Sequence, residues 1–271
     1  MKKFLITIIF SLFLFPISLI TGCGNDNTAD TGTRIGAISQ LNTTPEQAAK
    51  VAGGEINFFE NFNSMQMALA AKNIDEIQTY GSVAKYMTAN NSDFAIKETQ
   101  TVKLVDDFCC ALREEDSALK NSFDMAIDSM KADGTLDSLV EKYITNLETP
   151  LPVDIRKIDG AETIRVGVTG DLPPLDLVLA DGQPAGFNTA VLAEISKRIE
   201  KNIELVQIDS GARAAALTSG QVDVIFWVVV PADDSERPKN FDTPEGVSVT
   251  TPYYQDMVVN VNLATLASGM N

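Results

Sequence analysis

The sequence has no histidine, one tryptophan and three cysteines in 271 residues. Without histidine there is no Ser-His-Asp or Cys-His nucleophile system and no His-Glu-x-x-His zinc helix. Basic residues are scarce as well: 21 Lys and Arg stand against 37 Asp and Glu, a formal charge of −16. A phosphate backbone needs a basic face, so nucleic acid is excluded as a partner. Acidity of this kind serves solubility. No pair of acids sits at strand ends in a way that demands acid–base chemistry, so no enzyme, no metal and no cofactor is expected. What remains is an ordinary globular balance, 45% hydrophobic and 21% charged, enough to bury a core.

The chain opens with Lys2 and Lys3 and then an apolar run over residues 4–20, interrupted by Thr7, Ser11, Pro16 and Ser18. The run is short for a membrane span, and a charged start before it reads as an export signal. Ile20-Thr21-Gly22-Cys23 follows. This resembles the bacterial lipobox. The resemblance implies that residues 1–22 are a signal peptide and that Cys23 receives a diacylglycerol. The chain would then be anchored on the extracytoplasmic face of a bacterial membrane, with residues 23–33, small and polar after the cysteine, as a tether. The other two cysteines, Cys109 and Cys110, are sequence neighbours, which disfavours a disulfide. Their setting, LVDDFCCALREED, reads as a strand with two small core residues.

Two halves share one grammar. Residues 33–38 (TRIGAI) and 163–168 (TIRVGV) are short strands carrying Arg, an aliphatic residue and Gly. Ala68-Leu69 precedes Asp75 as Ala216-Leu217 precedes Asp223, with the same spacing. Each predicts a helix end, a tight turn and a strand, hence parallel sheets flanked by helices. Helical stripes run through Val191, Leu192, Ile195 and Ile199, and through Leu119, Phe123, Ala126, Ile127 and Met130, the latter ending at Gly134. A further stripe uses Leu136, Leu139, Val140, Tyr143 and Ile144. Residues 147–162, with Pro150, Pro152 and Gly160, read as a linker. The fold class is α/β with two lobes, and a cleft between such lobes is where small ligands bind.

The second half resembles the opening of polar-amino-acid solute-binding proteins of ABC transporters. The residues are Pro173-Pro174, Asp181-Gly182, Gly186-Phe187-Asn188, the run 216–223, Ser235-Glu236-Arg237 and Thr251-Pro252-Tyr253-Tyr254. The first half resembles the other end of the same family, closest in ALREEDSALKNSFDMAIDSMKADGTLDSLVEKYI. The order is inverted, which implies a circular permutation of a periplasmic-binding-protein-like fold; the rival is two truncated copies pairing as a dimer. On the permuted reading lobe two spans 34–108, and a return strand with closing helices spans 109–146 and packs on lobe one. Residues 147–162 link the old termini, lobe one spans 163–256, and a hinge strand with the tail spans 257–271. The expected state is a monomer.

The resemblance also implies site residues. Arg237 matches the family's carboxylate-binding arginine, and Thr43 and Thr44 match the helix start that donates amides to the same group. Thr44 before Pro45 is also an ordinary helix cap. Tyr80 stands where the family has an ammonium-binding Asp, and Leu172 where an aromatic often precedes the Pro-Pro turn. Trp227 lies in a stretch, residues 226–231, that departs from the family's Gly-x-Thr; it is expected either to pave the cleft or to pack at a strand end. Ser210 and Arg213 lie in a region that often faces the ligand, and Asp171 at the end of the first lobe-one strand. The expected ligand is a small polar or carboxylate-bearing, amino-acid-like solute passed to an ABC permease. A ligand-sensing lipoprotein with an altered site and no transport role is the alternative.

Overall fold

Strands that carry an arginine and, two residues further on, a glycine set up both halves of the molecule. The computed structural model describes residues 32–97, 104–146, 152–233 and 242–264; Cys23 and Arg237 lie outside them. In the first half β1 (Arg34–Ile38) is followed by α1 (Pro45–Ala52), β2 (Glu55–Phe59), α2 (Phe62–Ala70), β3 (Glu76–Tyr80), α3 (Gly81–Asn90) and β4 (Phe94–Ile96). β1 pairs in parallel with β2 and with β3. Next come β5 (Val105–Arg113), α4 (Ser117–Ala132) and α5 (Thr135–Val140), with a wide helical turn over Glu141–Thr145. The second half runs β6 (Thr163–Val168), β7 (Asp171–Leu172), β8 (Asp176–Val178), β9 (Pro184–Ala185), α6 (Phe187–Ile199), β10 (Asn202–Gln207), α7 (Arg213–Thr218), β11 (Val224–Pro231), β12 (Val247–Val249) and β13 (Tyr254–Leu263). Here β6 pairs in parallel with β10 and with β11. The fold is a mixed α/β architecture of two lobes.

The sequence echo has a physical cause that the two lobes share. The Asp75 carboxylate accepts the Arg34 backbone N–H at 2.9 Å and the Arg34 guanidinium at 2.7 Å. Asp223 does the same for Arg165, at 2.9 Å to the backbone and 3.1 Å to the guanidinium. Three residues after the helix leucine, Lys72 (φ 59°) and Gly220 (φ 72°) take the left-handed conformation that reverses the chain. A Cβ at Gly36 would meet the Ile74 side chain at 2.5 Å, and one at Gly167 would meet Ile208 at 2.7 Å and Ile225 at 2.9 Å. Each helix return thus packs over the middle of its arginine strand, and only glycine leaves room.

One strand joins the lobes. β13 runs antiparallel to β5 over Tyr254 to Met257, then antiparallel to β3 from Val258 to Val261, with β4 on its far side. Both sheets therefore meet in one continuous order, β10-β6-β11-β5-β13-β3-β1-β2. β5 enters its ladder with β11 at Asp106, so the strand lies wholly in the lobe-one sheet. Residues 105–108, which the expected division gives to lobe two, therefore pair in the lobe-one sheet.

The helices after β5 lie on lobe one. α4 and α5 pack on α6, and Arg198 of α6 donates to Asp133 at 2.6 Å and to Thr135 at 3.1 Å. Gly134 (φ 78°) ends α4, as the pattern predicts. Of the expected linker, residues 152–162 are described and lie along lobe one: Val153 donates to the Pro184 carbonyl at 2.9 Å, and the Asn202 side chain bonds both the N–H and the carbonyl of Ile158. Phe108, Phe123, Phe187 and Phe226 are fully buried, each contributing on the order of 2–3 kcal/mol by leaving water. Cys109 and Cys110 are buried in β5 and carry free thiols; burial pushes the Cys109 thiol up to about 12, so it is held as the inert thiol. Among the described residues no helix is long and apolar enough to cross a membrane.

Candidate functional site

The lobes face each other beside the crossing strand. The β11–β5 ladder shifts register between Phe226 and Val228, leaving Trp227 as the extra residue of a bulge. Its side chain is buried, with Tyr80 of lobe two at 6.1 Å and Phe108 at 5.9 Å between ring centroids. Together with Gln40, Gln78, the buried acid Asp106 and Leu172, Tyr80 and Trp227 line a cavity of about 40 Å³. Three residues singled out from the sequence, Tyr80, Leu172 and Trp227, thus meet at one point although they come from both lobes.

Beneath Trp227 lies Arg213, only 1% exposed. Its guanidinium stacks 4.6 Å from the indole and donates to three carbonyls: Ser210 at 3.0 Å, Trp227 at 2.8 Å and Ser39 at 2.9 Å. Ser39 belongs to lobe two, so Arg213 bridges the lobes. Burial lowers its pKa, and the charge of Asp242 is the strongest opposing influence. Ser210 is buried beside it, and its backbone N–H donates to the Glu60 carbonyl at 3.2 Å. The Glu60 carboxylate accepts from Gly211 at 2.7 Å.

Asp171 makes a further bridge. It opens β7, just past a turn pinned by Asp176, whose buried carboxylate accepts from the N–H and hydroxyl of Thr169 and from the Gly170 N–H. Asp171 accepts the Phe62 N–H, at the start of α2, at 2.6 Å. Burial raises its pKa to about 6 against the pull of that hydrogen bond, with Asp176 and Asp209 adding repulsion.

The expected amide donors divide. Thr44 is exposed and serves as a helix cap: its hydroxyl accepts from Gln47 N–H at 3.3 Å while the Gln47 side chain accepts from the Thr44 N–H at 2.8 Å. Thr43 is buried, and its N–H, with those of Leu41 and Asn42, points at the carboxylate of Asp242. Sequence reasoning missed Asp242, Glu60, Ser39 and Asp106. No motif marks them, and Asp242 meets Thr43 across 199 residues of chain. Among the described residues no group of His, Cys, Asp and Glu could hold a metal ion.

Two α/β lobes with a polar and aromatic cavity at a shared crossing strand define the class of fold. The family model for bacterial extracellular solute-binding proteins, family 3, matches residues 31–146 and 164–263, and the chain belongs to that family. The family is one of binding proteins for ABC import, not of enzymes. Among curated relatives, the chain is similar to the L-cystine-binding protein TcyJ of Escherichia coli (strain K12), 26% identical over 94 residues, 35% of either chain. It therefore spans about a third of the length of the curated relatives it matches. Among solved structures it is similar to the ligand-binding component of an ABC-type import system from Staphylococcus aureus (TM-score 0.42, 10% identity, 85% of this chain and 65% of that one). A periplasmic substrate-binding protein of an ABC transporter from Coxiella burnetii gives a TM-score of 0.36 at 12% identity over 85% and 84% of the two chains.

Proposed function

We propose that this protein is a lipid-anchored, extracytoplasmic receptor that captures a small polar or carboxylate-bearing, amino-acid-like solute between its lobes and passes it to an ABC permease. The observation that carries this is the convergence of Tyr80, Leu172, Trp227, Gln40, Gln78 and Asp106 on one cavity between the lobes. At about 40 Å³ it is far smaller than the ~300 Å³ or more of an ordinary ligand pocket. Capture therefore requires the lobes to part and close again about β13. Anchoring rests on the lipobox at Cys23, and an amino-acid-like ligand on the family motifs and on the L-cystine named for the E. coli relative. Arg237 is assigned to the ligand's carboxylate on the motif alone.

The permuted order belongs to the same proposal. In its support, α4 and α5, from the first half of the chain, pack on α6 of the second half, and the final strand β13 completes the first half's sheet. The sensor reading has one observation behind it: a phenol, Tyr80, lies in the cavity where the family places a carboxylate that pairs with an ammonium group.

A thermal-shift screen of the protein against amino acids (L-cystine included), small carboxylates and amines tests the proposal. A bound solute raises the melting temperature. No shift with any of them overturns solute capture, and a shift with amines alone overturns the role assigned to Arg237. A neighbouring gene pair for a permease and an ATPase separates receptor from sensor.

A further inference from the structure

Asp242 accepts three hydrogen bonds across the lobes, and no motif marks it. It precedes β12 on the lobe-one side and is 3% exposed. Its Oδ2 accepts from the Leu41 N–H at 3.0 Å, and its Oδ1 from Asn42 at 2.7 Å and Thr43 at 2.9 Å. Three consecutive amides aimed at one carboxylate make a cradle for a negative group. A second feature favours negative charge at the same place: the buried Arg213 guanidinium satisfies its hydrogen bonds with neutral carbonyls alone, so its charge needs a nearby anion to balance it.

We propose that the amides of Leu41, Asn42 and Thr43 form a carboxylate site that the chain fills with its own Asp242, which makes Asp242 a specificity determinant of the cleft. The consequence for ligands rests on the solute-receptor reading above; occupation of the cradle does not. A solute's carboxylate gains these three hydrogen bonds only by displacing Asp242, because two carboxylates on one set of amides repel. Solutes that do not reach for this cradle keep the interlobe contact intact and are favoured. The residue therefore biases selection within the amino-acid-like class toward ligands whose charge lies elsewhere in the cleft.

Chemical rescue tests this. Asp242→Gly leaves three N–H groups, that of buried Thr43 among them, without their acceptor and removes the strongest acidic influence on Arg213, and it opens a space that acetate, with the same functional group, fits. The full-length protein in detergent is melted in sodium chloride and in sodium acetate at equal ionic strength. In chloride the variant should melt about 10 °C below the wild type. Acetate at ten times its dissociation constant should recover about 4 °C, while leaving the wild type unchanged. Asp242→Ser, read the same way, covers a glycine variant that does not fold. If neither folds in chloride, recovery of folded protein by acetate supports the proposal. Equal behaviour of both variants in the two salts overturns it, as does acetate stabilising the wild type to the same degree. A wild type that no solute stabilises counts against solute capture and leaves the acetate result standing.

Discussion

Replacing Arg213 by methionine isolates the largest polar investment in the lobe contact. The side chain is fully buried, so the substitution removes three hydrogen bonds of 2.8–3.0 Å and the stack on Trp227. Bonds from a charged donor contribute roughly 1.5–3 kcal/mol each. That sum is an overestimate, because the wild type also bears the cost of burying the guanidinium. Breaking a buried charged contact from one side costs about 3–5 kcal/mol, since the groups left behind are uncompensated. Here those are the carbonyls of Ser39, Ser210 and Trp227 and the charge of Asp242. Methionine fills much of the volume and keeps the cavity contribution small. The expected loss for Arg213→Met is therefore about 4 kcal/mol. Arg213→Lys keeps the charge but reaches fewer of the three carbonyls, so it should lose about half as much. Trp227 is the only tryptophan in the sequence, so urea unfolding followed by its fluorescence reads both variants at the site itself. A loss below about 1 kcal/mol for Arg213→Met, or a lysine variant weaker than the methionine one, would refute this account of the contact.

Because Asp171 has its pKa raised to about 6 in the folded protein, the folded state favours its protonated form. Its contribution to stability is complete below about pH 4 and is lost as pH rises through 6. Urea midpoints from pH 4 to 7 should fall less in Asp171→Asn than in the wild type, and parallel curves would contradict the assignment. Gly186 has φ 96° and ψ 176°, and a Cβ there would meet the Pro174 and Leu175 carbonyl oxygens at 2.8 Å. Both carbonyls are held by the Phe187 and Asn188 N–H groups. Gly186→Ala should cost about 2–4 kcal/mol of stability from strain and overlap combined; a change within 0.5 kcal/mol of zero, roughly the scatter of surface substitutions, would exclude the overlap. Cys23→Ser should move the protein from the membrane to the soluble fraction on cell fractionation, and a variant still in the membrane would refute anchoring through that residue.

Much of the fold could be read along the chain because its causes act over short distances. The left-handed turn three residues past each helix leucine is a local device, and the helix end, turn and strand of both copies form as their spacing predicts, although the Asp of each return bonds an arginine 41 or 58 residues earlier. The Thr44 capping box follows from four consecutive positions, and its reading as a helix cap agrees with the geometry. The site was readable only in part. Tyr80, Leu172 and Trp227 reach the cavity, but nothing in the order of residues says that a bulge at Trp227 aims it there. Nor does it say that Arg213 spends its donors on carbonyls of both lobes.

The sequence by itself determined the helices and turns of each lobe, since these depend on propensity, periodicity and hydrogen bonds within a few residues. Only the tertiary structure decided which acid occupies the amides at Thr43 and which cation lies beneath Trp227. Those contacts join residues far apart in the chain, and their worth depends on burial, which exists only once both lobes have packed.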